Sequence, residues 1–569
     1  IQLLWRLAWS PPGVPSFPEM VVAAVARLTP LDLFGYATEN FGPLAKNSLF
    51  VVILLVTLAV GYEAGAVAGR WTRSGRFGRG FGARLAAGLL VAAALLLVTL
   101  VVIAPLGRYG VFALQSPDPA AMLTQLVATF AVFGLAWAWL DSALMPTIAA
   151  RAANAPARAA AETGESVTRR GVIGAAGVAL LAGVGGLTWR LFQPVATIDR
   201  AASVAAANDI VATAEAQQAA ASAPTPAAPA AAVAPTETPV PTEVPPTAAP
   251  TVEATKTAAA GATQADLALF KKLEADGRLT PRLTAVADFY HVSKNISDPF
   301  VDSKGWSLSI GGMAEKPQTY AYDQLLQRAT THNITTLCCI SNYLNGDLIS
   351  TAEWTGIPLP DLLKEAGVDP KAVDLKLSAA DGYEESIPLK IGLDPHTMLV
   401  LKMNGQPLPS DHGGPARLIV PPIYGMKNVK WIQKIEAVNN DFMGYWEERG
   451  WSDTARYQIW GRFDTPKNGE TTPAGPAVLA GVASAGNRGI KRVEISLDGG
   501  KTWADATLEP SLNPPFTWVR WLYQFDAKPG SHDAVLRATD GTGKVMIEQD
   551  SPPLPAGATG WPRLSVNVG

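Results

Sequence analysis

The residues in this chain with the most chemistry to offer are two adjacent thiols. Cys338 and Cys339 lie in Thr336-Leu-Cys-Cys-Ile-Ser-Asn342, followed by Gly346-Asp-Leu-Ile-Ser350 and Trp354-Thr-Gly-Ile-Pro-Leu359. Three uses of such a pair are open. Free cysteine packs as a small buried hydrophobe. A thiolate nucleophile needs a base, and His332 or His291 can serve as one. Metal ligation is the third use. In an extended segment successive side chains face opposite sides, so at most one sulfur addresses a given site. A single thiolate suits a soft metal already held by another ligand.

A second constellation is His412-Gly-Gly-Pro-Ala-Arg417, then Pro421-Pro-Ile-Tyr-Gly-Met-Lys-Asn-Val-Lys-Trp431. Glycines let a backbone approach a ligand closely. Arg417, Lys427 and Lys430 are cations beside those glycines, a pattern that suits a phosphate. The competing reading is a basic solvated loop beside a strand.

The counts close off other cofactors. Two cysteines cannot hold an iron–sulfur cluster or a four-cysteine zinc site. No Cys-x-x-Cys-His is present for a c-type haem. All five histidines (291, 332, 396, 412 and 532) lie beyond residue 192, so no bis-histidine haem is expected in the first 192 residues. A net charge of −3 gives no sign of a nucleic-acid partner.

The elements that must position these groups fall into unlike parts. Charged residues are only 17% of the chain, and the long apolar runs lie in residues 1–192. Runs at about 47–67, 85–105, 121–140 and 171–189 are long enough to cross a bilayer as helices. Residues 70–84 carry five arginines and no acid, and 146–170 carry four arginines against two glutamates. The positive-inside rule puts both loops in the cytoplasm and everything after 192 outside. Arg169-Arg170 before the fourth run is similar to a twin-arginine export signal, which serves proteins exported already folded.

Residues 193–264 read as an Ala/Pro/Thr-rich disordered linker. Residues 201–264 lack aromatics, and prolines crowd 224–250. A short helix is expected at about 265–277. From 280 the pattern is mixed α+β, with strands at 305–312, 416–422 and 429–435 and short helices at 322–328 and 360–366. After about 455 the helical signal ends. Val493-Glu-Ile-Ser-Leu-Asp-Gly-Gly-Lys-Thr-Trp503 alternates and turns, and 519–525 and 534–538 add strands, which together predict a β-sandwich.

Taken together, these motifs resemble the molybdenum-cofactor domain of the sulfite oxidase family over about residues 280–569. Leu337-Cys-Cys-Ile-Ser-Asn342 matches the family's Leu-x-Cys-x-x-Asn, which assigns the molybdenum ligand to Cys339. His412–Arg417 and Tyr424–Lys430 match two further motifs, Asp288-Phe-Tyr-His-Val292 resembles a lead-in segment, and Asp381-Gly-Tyr383 matches a turn. Ser496–Trp503 and Trp518-Val-Arg-Trp521 resemble the family's immunoglobulin-like dimerisation domain.

Hydropathy and composition give 1–192 as a membrane region with about four helices and 193–264 as the linker, and the resemblance implies 265–455 as an α+β molybdopterin domain and 456–569 as an immunoglobulin-like β-sandwich. It implies a molybdenum–molybdopterin cofactor with Cys339 as protein thiolate and Tyr290 beside the metal. His291, Asp381 and His412 would hydrogen-bond the pterin or its tail, and Arg417, Asn428, the Val429 backbone and Lys430 would hold the phosphate. Departures limit the substrate. Leu344 stands where sulfite oxidases place an arginine, and Met443 where they place a tyrosine. Tyr290 or His291 stands where they place a second arginine, and a pocket without those two cations suits sulfite less well.

The implied function is a membrane-anchored, extracytoplasmic oxidoreductase doing oxygen-atom transfer on a small S- or N-oxo substrate. Methionine-sulfoxide-type reduction is one alternative, and a metal-free tethered β-rich binding module is another. Expected partners are a bacterial membrane, a separate electron carrier (a cytochrome or quinone-linked subunit), no nucleic acid, and a possible second copy as homodimer. No haem or iron–sulfur cluster is expected in this chain.

Overall fold

A computed structural model of the chain describes residues 17, 20–21, 24–25, 43–74, 80–106, 111–114, 119–153, 199–222, 262–295 and 298–569. The expected fourth membrane run, the Arg169-Arg170 signal and the proline-rich stretch 224–250 lie outside the described residues.

Three long helices come first: α1 (Pro43–Arg73), α2 (Phe81–Val98) and α3 (Pro119–Ala153). A π-helical turn (Thr99–Ile103) carries α2 on to Leu106. Phe81–Leu106 and Pro119–Ser142 are long and apolar enough to cross a membrane by length and composition. They touch through glycines: a Cβ on Gly88 would lie 2.6 Å from Gly134 O. Small residues let helix backbones approach in this way. Arg84 Nε meets Asp141 Oδ2 at 3.0 Å near one end of the pair.

Next comes α4 (Arg200–Ser222), in a segment expected to be extended. Prolines crowd 224–250, whereas residues 200–222 contain neither proline nor glycine. RAASVAAANDIVATAEAQQAAAS is alanine-rich and free of breakers, so helix is its low-energy backbone once one face has something to pack on. The short helix α5 (Gln264–Ala275) then begins with a Thr263/Asp266 capping box.

The α+β unit holds two sheets. The strands are β1 (Ser307–Gly312), β2 (Gln318–Ala321), β3 (Thr331–Cys338), β4 (Ile349–Pro358), β5 (Asp374–Ala379), β6 (Glu384–Pro388), β7 (Met398–Met403), β8 (Gln406–Pro407), β9 (Arg417–Ile419) and β10 (Ile432–Val438). One sheet runs β2-β1-β10-β5-β6; the other runs β3-β4-β7-β8, with β9 also on β7. Helices α6 (Tyr322–Arg328) and α7 (Leu359–Ala366) belong to this unit. A core of Leu308, Ile310, Leu375, Ile435, Leu399 and Leu401 draws on both sheets.

The last unit is all β: β11 (Trp460–Thr465), β12 (Thr471–Thr472), β13 (Gly475–Ser484), β14 (Ile490–Ser496), β15 (Ala504–Asp505), β16 (Thr507–Leu508), β17 (Val519–Ala527), β18 (Gly530–Asp540) and β19 (Arg563–Val568). Sheets β11-β13-β17-β16 and β12-β19-β18-β14-β15 share a core of Leu479, Trp521, Val493, Leu536 and Val566. Inward and outward residues alternate on β19 as a half-buried strand requires.

Candidate cofactor site

Cys339 follows the last residue of β3, and that strand is clamped from two directions. β4 pairs along its full length. From the last unit, Trp518 N donates to Thr336 Oγ1 at 2.8 Å, Thr336 N donates to Phe516 O at 3.0 Å, and Cys338 N donates to Tyr457 Oη at 3.2 Å. The β-sandwich therefore helps to aim the cysteine segment.

The two sulfurs have different neighbours. Cys338 belongs to the large core, and its Sγ takes Asn342 Nδ2 at 3.5 Å. Cys339 is outside that core cluster, and its Sγ lies 3.0 Å from Ser341 Oγ. Burial pushes both thiols up, Cys338 far up. His332 bonds Glu353 and Thr355, and His291 pairs with Asp298 at 2.5 Å. Among the described residues neither imidazole bonds a thiol, so the pair has no base to make it a nucleophile.

Tyr290 emerges from a 3-10 turn (Val286–Asp288) and stacks on Phe289. A Cβ on Gly425 would lie 2.8 Å from Tyr290 Oη, so the glycine leaves the phenol its room. Burial, then the Cys339 sulfur, raises its pKa well above the ordinary value, so the phenol stays a proton donor. Among the described residues its Oη has no hydrogen-bond partner.

Arg417 opens β9 and is 4% exposed. It donates to His412 O and Asn428 O, both at 3.0 Å, and its guanidinium lies 5.4 Å from the Trp354 ring centre. No carboxylate lies within ion-pair reach of it among the described residues. Burial lowers its pKa to about 10. A buried cation with neutral partners only is costly, and an anionic ligand would relieve that cost.

Lys430 donates to Asp411 O at 3.0 Å and lies 3.4 Å from His291 Nε2 and 3.8 Å from Asp298 Oδ2. Gly413, at φ +104°, passes so close that a Cβ would lie 2.9 Å from the Lys430 Cα. His412 Nε2 lies 3.3 Å from Val286 O. Burial, then Arg417 and Lys430, lowers the His412 pKa to about 3, so the ring is neutral.

Three expected ligands are held by the protein itself. Both ends of the Asn428 amide are occupied: Oδ1 accepts Val420 N at 2.6 Å, and Nδ2 donates to Tyr424 O at 3.0 Å. Its side chain fixes the loop, and no free amide remains for a phosphate. Asp381 accepts Asn295 Nδ2 at 2.7 Å and Tyr383 N at 3.0 Å, with Lys294 at 3.4 Å. Lys427 is only 1% exposed and meets Glu385 at 3.0 Å, Glu447 at 2.9 Å and Asp453 at 3.2 Å. It neutralises acids instead of waiting for a phosphate. Those acids lie 42 and 26 residues from Lys427 in Glu385 and Asp453, which is why spacing alone misses them. Tyr424 and Tyr457, ring centres 4.6 Å apart, were also missed as neighbours of the thiols.

The pH dependence follows from His412. Its folded pKa lies below the unfolded value of about 6.5, so below that pH the unfolded chain binds a proton that the native ring refuses. This group's contribution falls by about 1.4 kcal/mol per pH unit between about pH 6.5 and the folded value. Denaturation of wild type and His412→Gln at neutral and mildly acidic pH checks this. The wild type should lose more stability on acidification, and parallel losses would refute a neutral buried ring.

The site therefore joins a buried thiol, a free phenol and an unpaired buried guanidinium, a donor set that fits an anionic, sulfur-ligated metal cofactor. The comparisons point the same way. Residues 295–446 match the oxidoreductase molybdopterin binding domain, and 465–552 match the Mo-co oxidoreductase dimerisation domain. Mitochondrial sulfite oxidase of Rattus norvegicus is 31% identical over 237 residues, 36% of this chain and 43% of that protein. Sulfite oxidase of Gallus gallus is 27% identical over 322 residues, 48% of this chain and 70% of that protein. Inducible nitrate reductase [NADH] 2 of Glycine max is 26% identical over 299 residues, 41% of this chain and 34% of that protein. The chain spans less than half the length of the mammalian relatives it matches.

Residues 295–446 thus carry a molybdopterin-binding oxidoreductase domain with a Mo-co dimerisation domain behind it, and this part of the chain is similar to the sulfite oxidases.

Proposed function

We propose that residues 265–569 bind molybdenum–molybdopterin and catalyse oxygen-atom transfer on a small S- or N-oxo substrate, the last unit being immunoglobulin-like. The observation that carries this is Arg417: a guanidinium buried without a carboxylate among the described residues, acting on the same Tyr290 phenol as the Cys339 thiol. When bound, the cofactor supplies two-electron oxygen-atom transfer. Cys339 would be the protein thiolate on the metal. Arg417, Lys430, His291, His412 and the Val429 backbone would hold the pterin and its phosphate, and Asp381 and Asn428 would keep their loops in place.

Tyr290 Oη is the free donor beside Cys339, so it would orient the transferring oxygen and shield it from water. Tyr290→Phe should lower turnover on the order of a hundredfold, as loss of a preorganised donor does, with cofactor content unchanged. Unchanged turnover at full loading would remove Tyr290 from the reaction.

The substrate side favours a neutral oxide over a dianion. Residues 341–345 are Ser-Asn-Tyr-Leu-Asn, without a cation, and Met443 is exposed. A screen of sulfite, methionine sulfoxide and other S- and N-oxides with a dye electron carrier tests this. Methionine sulfoxide as best substrate would favour the reductase reading, and protein from a molybdenum-replete host without molybdenum or pterin would favour the metal-free module.

We place the protein in a bacterial cell membrane with this unit on the extracytoplasmic face. The apolar outer faces of α2 and α3 support that placement, with Leu90 and Leu97 exposed on α2 and Leu135 and Trp139 on α3. So do the arginine-rich flanks. Electrons would pass to a separate carrier, and the last unit would pair with a second copy.

A further inference from the structure

Helix α4 lies between the apolar N-terminal region and the proline-rich stretch, and it is docked on the catalytic unit. Its contact face runs through Ser203, Ala207, Ile210, Val211, Ala214, Glu215 and Gln218, a helical stripe of steps three and four. Ala207 packs with Leu283, Ala285 and Leu512. Ser203 Oγ accepts Ala287 N at 3.2 Å, and Arg200 meets Asp288 at 2.8 Å, two residues before Tyr290. Glu215 pairs with Arg282 at 2.5 Å, and Gln218 Nε2 donates to Ser511 O and Leu512 O at 2.8 and 3.0 Å.

Helix α5, beyond the proline-rich stretch, is docked on the same body. Phe270 and Leu273 pack on Ala480 and Leu522. Glu274 pairs with Arg520, which also holds Glu509 at 2.6 Å; Glu509 reaches Arg282 at 3.6 Å. One largely buried charge network thus ties α4, α5 and the sandwich together. Both ends of the Ala/Pro/Thr stretch are anchored to one surface.

We infer that α4 is a strap: both flanks of the proline-rich segment are docked on one body, and the N-terminal region is held to the catalytic unit by docking of α4, against the backbone that presents Tyr290. A flexible spacer would let the body roam over the membrane. A docked strap holds it within the short reach of residues 190–199 and braces the site from the membrane side. This rests on the membrane placement proposed above only for what the strap is attached to; the docking itself does not depend on it.

The test uses the full chain with an N-terminal affinity tag and a protease site inserted within residues 224–250. After complete cleavage in mild detergent, capture through the tag should retain most of the catalytic unit, because α4 remains docked. Ala207→Asp puts an unpaired charge into that contact and should release most of the unit on cleavage, while the uncleaved variant is captured whole. Release of the wild-type unit on cleavage would overturn the strap, and so would retention of the Ala207→Asp unit. Membrane sedimentation of the uncleaved protein is read separately. An uncleaved wild type in the soluble fraction, with capture after cleavage intact, would sink the membrane placement and leave the strap standing.

Discussion

Cys339→Ser is expected to lose molybdenum and turnover together, while Cys338→Ser keeps both. The sulfurs are adjacent in sequence and differ in what surrounds them. Cys338 is packed into the large core with Asn342 on its sulfur, and Cys339 lies outside that cluster beside Ser341. Serine is a poor ligand for a soft metal centre. Loss of groups that merely orient metal ligands already costs about 10- to 100-fold, so loss of the ligand itself should exceed about a hundredfold. Cys338→Ser places a hydroxyl in an apolar core and should cost about 1 kcal/mol in stability with activity retained. Metal analysis, turnover and denaturation of both purified variants decide the matter. Equal loss of metal in the two, with folding intact, would refute the assignment of Cys339.

The largest stability effect is expected at a residue outside the chemistry. Lys427 is enclosed by Glu385, Glu447 and Asp453, with Tyr383 Oη donating to Glu385 Oε2 at 2.8 Å. Burial pushes the Glu385 pKa up to about 8, against the pull of Lys427. Burial disfavours the Lys427 charge too, and Glu385 and Glu447 outweigh it, so its pKa is raised. Lys427→Met strands the acids and should destabilise by about 3–5 kcal/mol, the usual result of removing one partner of a buried pair. Lys427→Met/Glu385→Gln should recover part of that loss, because the second change removes an uncompensated charge. Urea denaturation of the three proteins measures it; a single variant as stable as wild type would show that the cluster does not hold this loop.

Much of the chemistry was legible in the residues themselves. A Leu-x-Cys-x-x-Asn run, a His-Gly-Gly-Pro-Ala-Arg run and a Tyr-Gly-x-Lys run are local strings, and local strings survive reading without coordinates. They led to the molybdopterin oxidoreductase class that the domain matches now support. Alternation along β14 and β17 likewise marked strands, because a side-chain period of two is written directly in the sequence.

What needed the fold is everything that depends on partners far along the chain. Lys427 and Arg417 look alike as basic residues in one loop, yet one is neutralised by Glu385, Glu447 and Asp453 and the other meets no acid among the described residues. Asn428 reads as a ligand until its amide is seen on Val420 and Tyr424. Helix α4 reads as tether until Leu283, Ala285 and Leu512 supply the surface that makes one face worth burying. Residue type sets what a side chain can donate, accept or ligate. Only tertiary packing sets which of those capacities are already used inside the protein and which remain for a cofactor, because burial and long-range pairing are properties of the folded chain as a whole.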